Sequence, residues 1–345
     1  MTISMIGLDT AKTVFQLHGV DSTGKAVLKR KLRRDEVIPF FEQQPRCVVI
    51  IEACGAGHHW ARLFADLGHE VKLLAPESAK PFVKKGKKND AADAAALCAA
   101  ASRPDVRFVP IKSKEQQGVL ALHSVRTLLV KQQTMLVNAM RGLAAEFGVI
   151  APKGVAKVDQ LHEMVVEEPT IPPTAQQAFG ELNERRIAAT HRIAELETQI
   201  VEHARTNGTV RQLATIPGIG PITASLIAAT VGDNIGAFKS ARHFAAWLGL
   251  VPRQHSTGGK PRLGRITKTG NSEIRRMLVL GATSMVFRAP HWNSAAGAWL
   301  RGVLQRRPVR LATVALANKM ARIAWAVMTR GQVYRPSGRA TEVAT

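Results

Sequence analysis

The chain has 345 residues, 46% of them hydrophobic, and its 48 Lys and Arg against 26 Asp and Glu give a formal charge of +22. That length suits two or three domains with apolar cores and excludes a disordered polycation. The charge makes a polyanion, nucleic acid above all, the expected partner.

The first elements read as a strand over residues 3–8, partners at 13–20 and 26–32 around a Ser22-Thr23-Gly24 turn, and a helix over 35–43. Residues 47–51 are a continuous apolar run, as in a buried central strand. A helix at 58–67 and a strand at 70–75 follow, closed by Pro76. The basic stretch Lys84-Lys85-Gly86-Lys87-Lys88 leads into an Ala-rich helix that opens with Asp90 and Asp93. The order βββαβαβα predicts an α/β domain of ribonuclease-H type, with a mixed sheet. Residues 113–147 are helical. A Pro-containing break runs from Pro152 to Pro173, and helix resumes over 174–206 with Leu182, Ile187, Ile193, Leu196 and Ile200 near coiled-coil spacing. These two helices either pack within one subunit or form an arm that pairs subunits. The last third, about 210–330, is mainly helical. Ile216-Pro217-Gly218-Ile219-Gly220-Pro221 precedes an apolar helix, and helices at 271–287 and 308–330 follow a basic loop.

Residues 248–310 hold twelve Lys and Arg against one acid, Glu273. Cys47, Cys54 and Cys98 form no C-x-x-C pair, which argues against zinc or disulfides and for a reducing compartment. The most apolar run, residues 309–328, carries Arg310, Lys319 and Arg322, and no basic-then-apolar leader opens the chain. A cytoplasmic protein, on the nucleoid when bound to DNA and without a membrane partner, is expected.

Asp9 and Glu52 each end an apolar strand, and Asp90 and Asp93 share one helix face. Each alone is as readily a surface charge, and Asp90 a helix cap. Together, four carboxylates near one point need a cation, and one or two Mg2+ ions would suit phosphoryl transfer. The Gly-rich turn at Gly218 and Gly220 resembles the hairpin of a helix-hairpin-helix module, which grips a phosphate backbone without reading bases. The loop Arg253-Gln254-His255-Ser256-Thr257-Gly258-Gly259-Lys260 is cationic, and Arg262, Arg265, Lys268, Arg275 and Arg276 follow it as further nucleic-acid contacts. From spacing alone a serine there is a phosphate ligand; a nucleophile needs a base, a metal or cationic stabilisation.

Five blocks occur in order: Ile6-Gly7-Leu8-Asp9-Thr10-Ala11-Lys12, Ile51-Glu52-Ala53-Cys54-Gly55, Lys88-Asn89-Asp90-Ala91-Ala92-Asp93-Ala94, Ile216-Pro217-Gly218-Ile219-Gly220 and Gly249-Leu250-Val251-Pro252-Arg253-Gln254-His255-Ser256. Together they resemble the DEDD transposases of the insertion-sequence 110 family, and within it the 1111 group. The resemblance implies a RuvC-like catalytic domain over 1–110, a helical coiled-coil arm over 111–207, a C-terminal transposase domain with a serine loop over 208–332, and a tail over 333–345. It implies that Asp9, Glu52, Asp90 and Asp93 bind Mg2+, that Ser256 attacks DNA to form a phosphoserine link, and that no nucleotide cofactor is used. It also implies a noncoding bridge or seek RNA that pairs with donor and target DNA, and self-association as a dimer or tetramer. Family members often place the serine directly before a Gly, where this chain has Thr257, so Thr257 is the alternative nucleophile. Cys54 stands where Thr is more usual. The competing function is a metal-dependent, structure-specific nuclease resembling a Holliday-junction resolvase, with water as nucleophile; a non-catalytic nucleic-acid binder is the third.

Overall fold

The computed structural model describes residues 2–83, 90–104, 106–255, 257–260 and 262–336. Two compact units divide the chain, Met1–Ser113 and Lys114–Thr345.

In the first unit, β1 (Met5–Thr10), β2 (Val14–Val20) and β3 (Ala26–Arg33) form an antiparallel meander. A single 3-10 turn leads into α1 (Val37–Glu42), then β4 (Val48–Glu52), α2 (Gly57–Asp66), β5 (Glu70–Leu74), α3 (Pro76–Ala79), α4 (Asp90–Ala101) and β6 (Phe108–Val109). The sheet order is β3-β2-β1-β4-β5-β6. β4 runs parallel to β1 and to β5, while β6 is antiparallel to β5. The two-residue β6 has no sequence signature of its own: it exists by pairing Phe108 and Val109 with the end of β5.

Strand periodicity sets the two faces. Ile6, Leu8, Phe15, Leu17, Leu32, Val49 and Ile51 point to one side and form the main core with Phe41, Trp60 and Phe64 of α1 and α2. Each such side chain, fully buried, is worth about 1.5–3 kcal/mol. Ile50 and Leu74 point to the other side, against Leu97 and Ala100 of α4. Gly7 and Asp9 share that second face. The basic stretch Lys84–Lys88 lies outside the described residues.

In the second unit, α5 (Lys114–Glu146) and α7 (Pro173–Thr206) are 33 and 34 residues long. They pack antiparallel on each other within the subunit, with Arg126 donating to Glu197 and Gln133 to Thr190. Between them lies α6 (Val158–Glu167), a helix inside the stretch expected as a break; Val158, Leu161 and Val165 bury its inner face. α8 (Gly208–Leu213), α9 (Pro221–Val231), α10 (Ala241–Trp247), the ribbon of β7 (Pro252–Gln254) and β8 (Leu263–Ile266), α11 (Ser272–Phe287), α12 (Ala295–Leu304) and α13 (Val309–Arg330) complete the unit. α13 is the one described helix long and apolar enough to cross a membrane by length and composition. It is a core helix, burying Ala312, Leu316, Met320, Ala324 and Val327 against α9, α10 and α11.

Candidate active site and nucleic-acid surface

Asp9 sits near the end of β1, one residue beyond the Leu8–Ile51 pair that joins β1 to β4, and Glu52 is the next residue of β4. Asp90 and Asp93 occupy the first turn of α4. Carboxylate oxygens of Asp9, Asp90 and Asp93 lie within 4.8 Å of one another. Glu52 falls outside that trio, but its charge acts on Asp9.

A close approach makes this geometry. A Cβ on Gly7 would stand 2.2 Å from the Ala94 carbonyl oxygen, so only glycine lets α4 rest on β1 this tightly. Sequence reading missed that role; a glycine inside the apolar run of β1 was its signal. Thr10 Oγ1 and Cys54 Sγ, 3.2 Å apart, tie the end of β1 to the turn after β4.

Burial, then the charges of Asp90, Asp93 and Glu52, push the Asp9 carboxyl up from 3.8 to about 6. Such a cluster is held against its own repulsion, and a cation relieves it. All the donors are hard carboxylate oxygens, as Mg2+ or another hard divalent ion requires, with Asp9 and Asp93 half-buried and Asp90 exposed, so the residues fit the metal.

The second unit displays the other predicted residues. Gly218, at φ +87°, lies in the turn between α8 and α9. A Cβ there would meet Met320 at 2.9 Å, and one on Gly281 of α11 would meet the Gly218 carbonyl oxygen at 1.9 Å, so the pair lets the turn lie flat on α11. Gly220 caps α9 and is exposed. A groove of about 520 Å³ runs beside the turn, edged by Arg288.

The β7–β8 ribbon exposes Arg253 and Arg265, with Lys260 and Arg262 in its connecting loop. A bridge between Thr257 and Lys260 closes the tip, where both Gly258 and Gly259 have positive φ. Lys268, exposed, holds a left-handed φ of 58°. Arg275 and Arg276 have structural partners. Arg275 donates to the carbonyls of Leu248 and Thr269, at 2.9 and 2.6 Å. Arg276 pairs with Glu273 at 2.5 Å. Ser256 lies outside the described residues.

A carboxylate cluster where a strand end meets a helix start, in a strongly basic chain, is what an enzyme acting on phosphodiesters needs. Residues 6–147 match a family model described as a transposase, of the DEDD insertion-sequence 110 type, and residues 210–296 match the transposase IS116/IS110/IS902 family. The chain is therefore a transposase, an enzyme that binds and recombines DNA. It is 49% identical to a probable family 20 transposase of Pseudomonas aeruginosa, over 97% of this chain and 100% of the relative. It is 39% identical to the transposase for insertion sequence element IS1328 of Yersinia enterocolitica, covering 96% and 98%. Identity to the transposase for IS1111A of Coxiella burnetii is 37%, covering 96% and 92%. The chain belongs to the IS116/IS110/IS902 family of transposases.

Proposed function

We propose that this transposase is an RNA-guided DNA recombinase that exchanges strands through a covalent phosphoserine. The observation that carries the reading is the convergence of Asp9, Asp90 and Asp93 from two distant segments, with the charge of Glu52 behind them. Residues 1–110 act as a RuvC-like catalytic domain, 111–207 as an arm and 208–332 as the serine-bearing domain, with 333–345 as a tail.

Asp9, Glu52, Asp90 and Asp93 would hold one or two Mg2+ ions. When bound, the ion supplies Lewis-acid polarisation of the reacting phosphate. Ser256 Oγ attacks phosphorus; the Oγ–P bond forms as the P–O3′ bond breaks, and the hydroxyl proton ends on the departing 3′ oxygen. The 3′-hydroxyl of the exchanged strand then attacks the phosphoserine and restores Ser256. Bond energy is conserved, so no ATP is required. Arg253, Lys260, Arg262 and Arg265 neutralise charge that develops on the phosphate, and Gly218 and Gly220 offer backbone N–H groups to the DNA backbone.

These contacts are to phosphates and carry no sequence information, which leaves target choice to base pairing with a guide RNA. Leu128, Met135, Leu143 and Ile187 are exposed on α5 and α7, between 40% and 69%, which supports pairing of arms in a dimer or tetramer.

The test is a protein–DNA adduct that survives denaturation, formed by protein, guide RNA, DNA and Mg2+. Ser256→Ala should abolish it and Thr257→Ala should only weaken it. A nucleotide found on Thr257 would move the nucleophile by one residue. Cleavage without any adduct, intact in Ser256→Ala, would favour the resolvase-like nuclease.

A further inference from the structure

The meander carries a second charged feature on the α4 face of the sheet. Strand register runs from Asp9 to Gln16 to Lys31 in one row, and from Gly7 to His18 to Lys29 in the next. Lys29 and Lys31 therefore stand on the same side of the sheet as Asp9. α4 lies across β1 and β2, and β3 is the edge strand, with both lysines exposed. A groove of about 480 Å³ opens there, with Gln16 and His18 as its floor, Ala91 and Ala95 on one wall and the two lysines on the other.

Among the described residues no carboxylate forms an ion pair with Lys29 or Lys31. The intervening Arg30 turns to the opposite face and lies over the Phe40 ring at 5.2 Å. Edge-strand lysines can serve only to deter strand pairing. These two, however, line a groove whose small alanine wall belongs to the helix that carries Asp90 and Asp93.

We propose that this groove is a track for the DNA strand cut at the acidic cluster, with Lys31 and Lys29 holding phosphates that flank the reacting one. The proposal rests on the reading of that cluster as the cutting site. Charge complementarity argues for it, because carboxylates repel a strand whose flanking phosphates then need cations supplied by the protein. Two steps of about 4.8 Å across the sheet put Lys31 about 10 Å from Asp9. A nucleic-acid strand covers that distance within a few nucleotides. Lysine, a point charge on a flexible stem, holds phosphate without reading bases, as a track for many sequences requires.

The test uses the full chain with Lys29→Gln and Lys31→Gln combined. Binding of single-stranded DNA is measured against salt, and Mn2+ binding verifies an intact cluster. The slope of log affinity against log salt should flatten by about 1.4, so the affinity lost between ~50 and ~200 mM salt shrinks about sevenfold. In a second variant, Lys31→Cys should form a disulfide with a thiol-tethered oligonucleotide when the tether is within a few nucleotides of the mapped cut and not when it is far from it. An unchanged slope, a disulfide indifferent to tether position, or capture of RNA in place of DNA would overturn the proposal. The two readings fail in different ways. Wild type that leaves DNA uncut with metal present defeats the catalytic reading and the track with it. A cutting wild type whose slope the double substitution leaves unchanged defeats the track alone.

Discussion

Replacing Asp9 by Asn should stabilise the metal-free first unit while removing its response to Mg2+. The native Asp9 carboxyl titrates at about 6 against an ordinary 3.8. A raised native value means that the stabilising share of this group is complete below pH 3.8 and is lost as pH rises through 6. At pH 7.5 the metal-free native state therefore bears the cost of an ionised Asp9, nominally about 3 kcal/mol. Solvent reaches this half-buried site, and screening reduces the figure to about 1–2 kcal/mol. Asn keeps the shape and the oxygen that accepts from Thr10 but carries no charge. Amide hydrogen exchange of β1 and β4 at pH 7.5 would measure it locally. Without metal, exchange in the variant should slow by roughly 5- to 30-fold; Mg2+ should slow exchange in wild type and leave the variant unchanged. Faster exchange in the metal-free variant, or equal protection of both proteins by Mg2+, would refute the reasoning.

Two further outcomes follow from single side chains. Gly7→Ala places a methyl group against the Ala94 carbonyl and should cost about 1–3 kcal/mol while weakening Mn2+ binding; Gly118→Ala on α5, where nothing lies within 4 Å, should be neutral or stabilise by up to about 1 kcal/mol. Equal thermal shifts in the two variants would show that α4 does not depend on Gly7. His123 is buried, 3.1 Å from Ser225 Oγ, and burial together with the charge of Arg126 lowers it from 6.5 to about 4. Because the native value is depressed, its share of stability is complete above pH 6.5 and is lost as pH falls through 4. His123→Asn should reduce the loss of denaturant-measured stability between pH 7 and pH 4 by about 2–3 kcal/mol, and an undiminished loss would count against it.

Where one physical rule dominated, the sequence was readable. The apolar runs of β1 and β4, the two-residue alternation of β2 and the Asp-led start of α4 each fix an element and one face of it. Asp9, Asp90 and Asp93 could be grouped because strand ends and a helix start converge in such a sheet. Long-range packing was not readable. β6 is defined by its partner, and α6 was hidden because Pro169, Pro172 and Pro173 outweighed the Val158, Leu161, Val165 spacing. Arg275 and Arg276, expected as phosphate ligands in a basic run, also bind backbone carbonyls and Glu273, and local spacing does not reveal such partners. Residues 248–310 drew attention through density, whereas Lys29 and Lys31 matter only once register sets them beside Asp9.

The α5–α7 pair touches two separate cores. At one end Leu120 packs and Ala204 is buried with the helices of α9, α10, α11 and α13; at the other, Met140, Ala144 and Phe179 close a small core with α6. From residue 120 to 140 the helix rises about 30 Å, close to one turn of a DNA duplex, about 34 Å. A beam clamped at both ends does not fray at its tip. Both ends of the pair are thus fixed by packing, so the register of α5 on α7 is held along the whole span between the two cores.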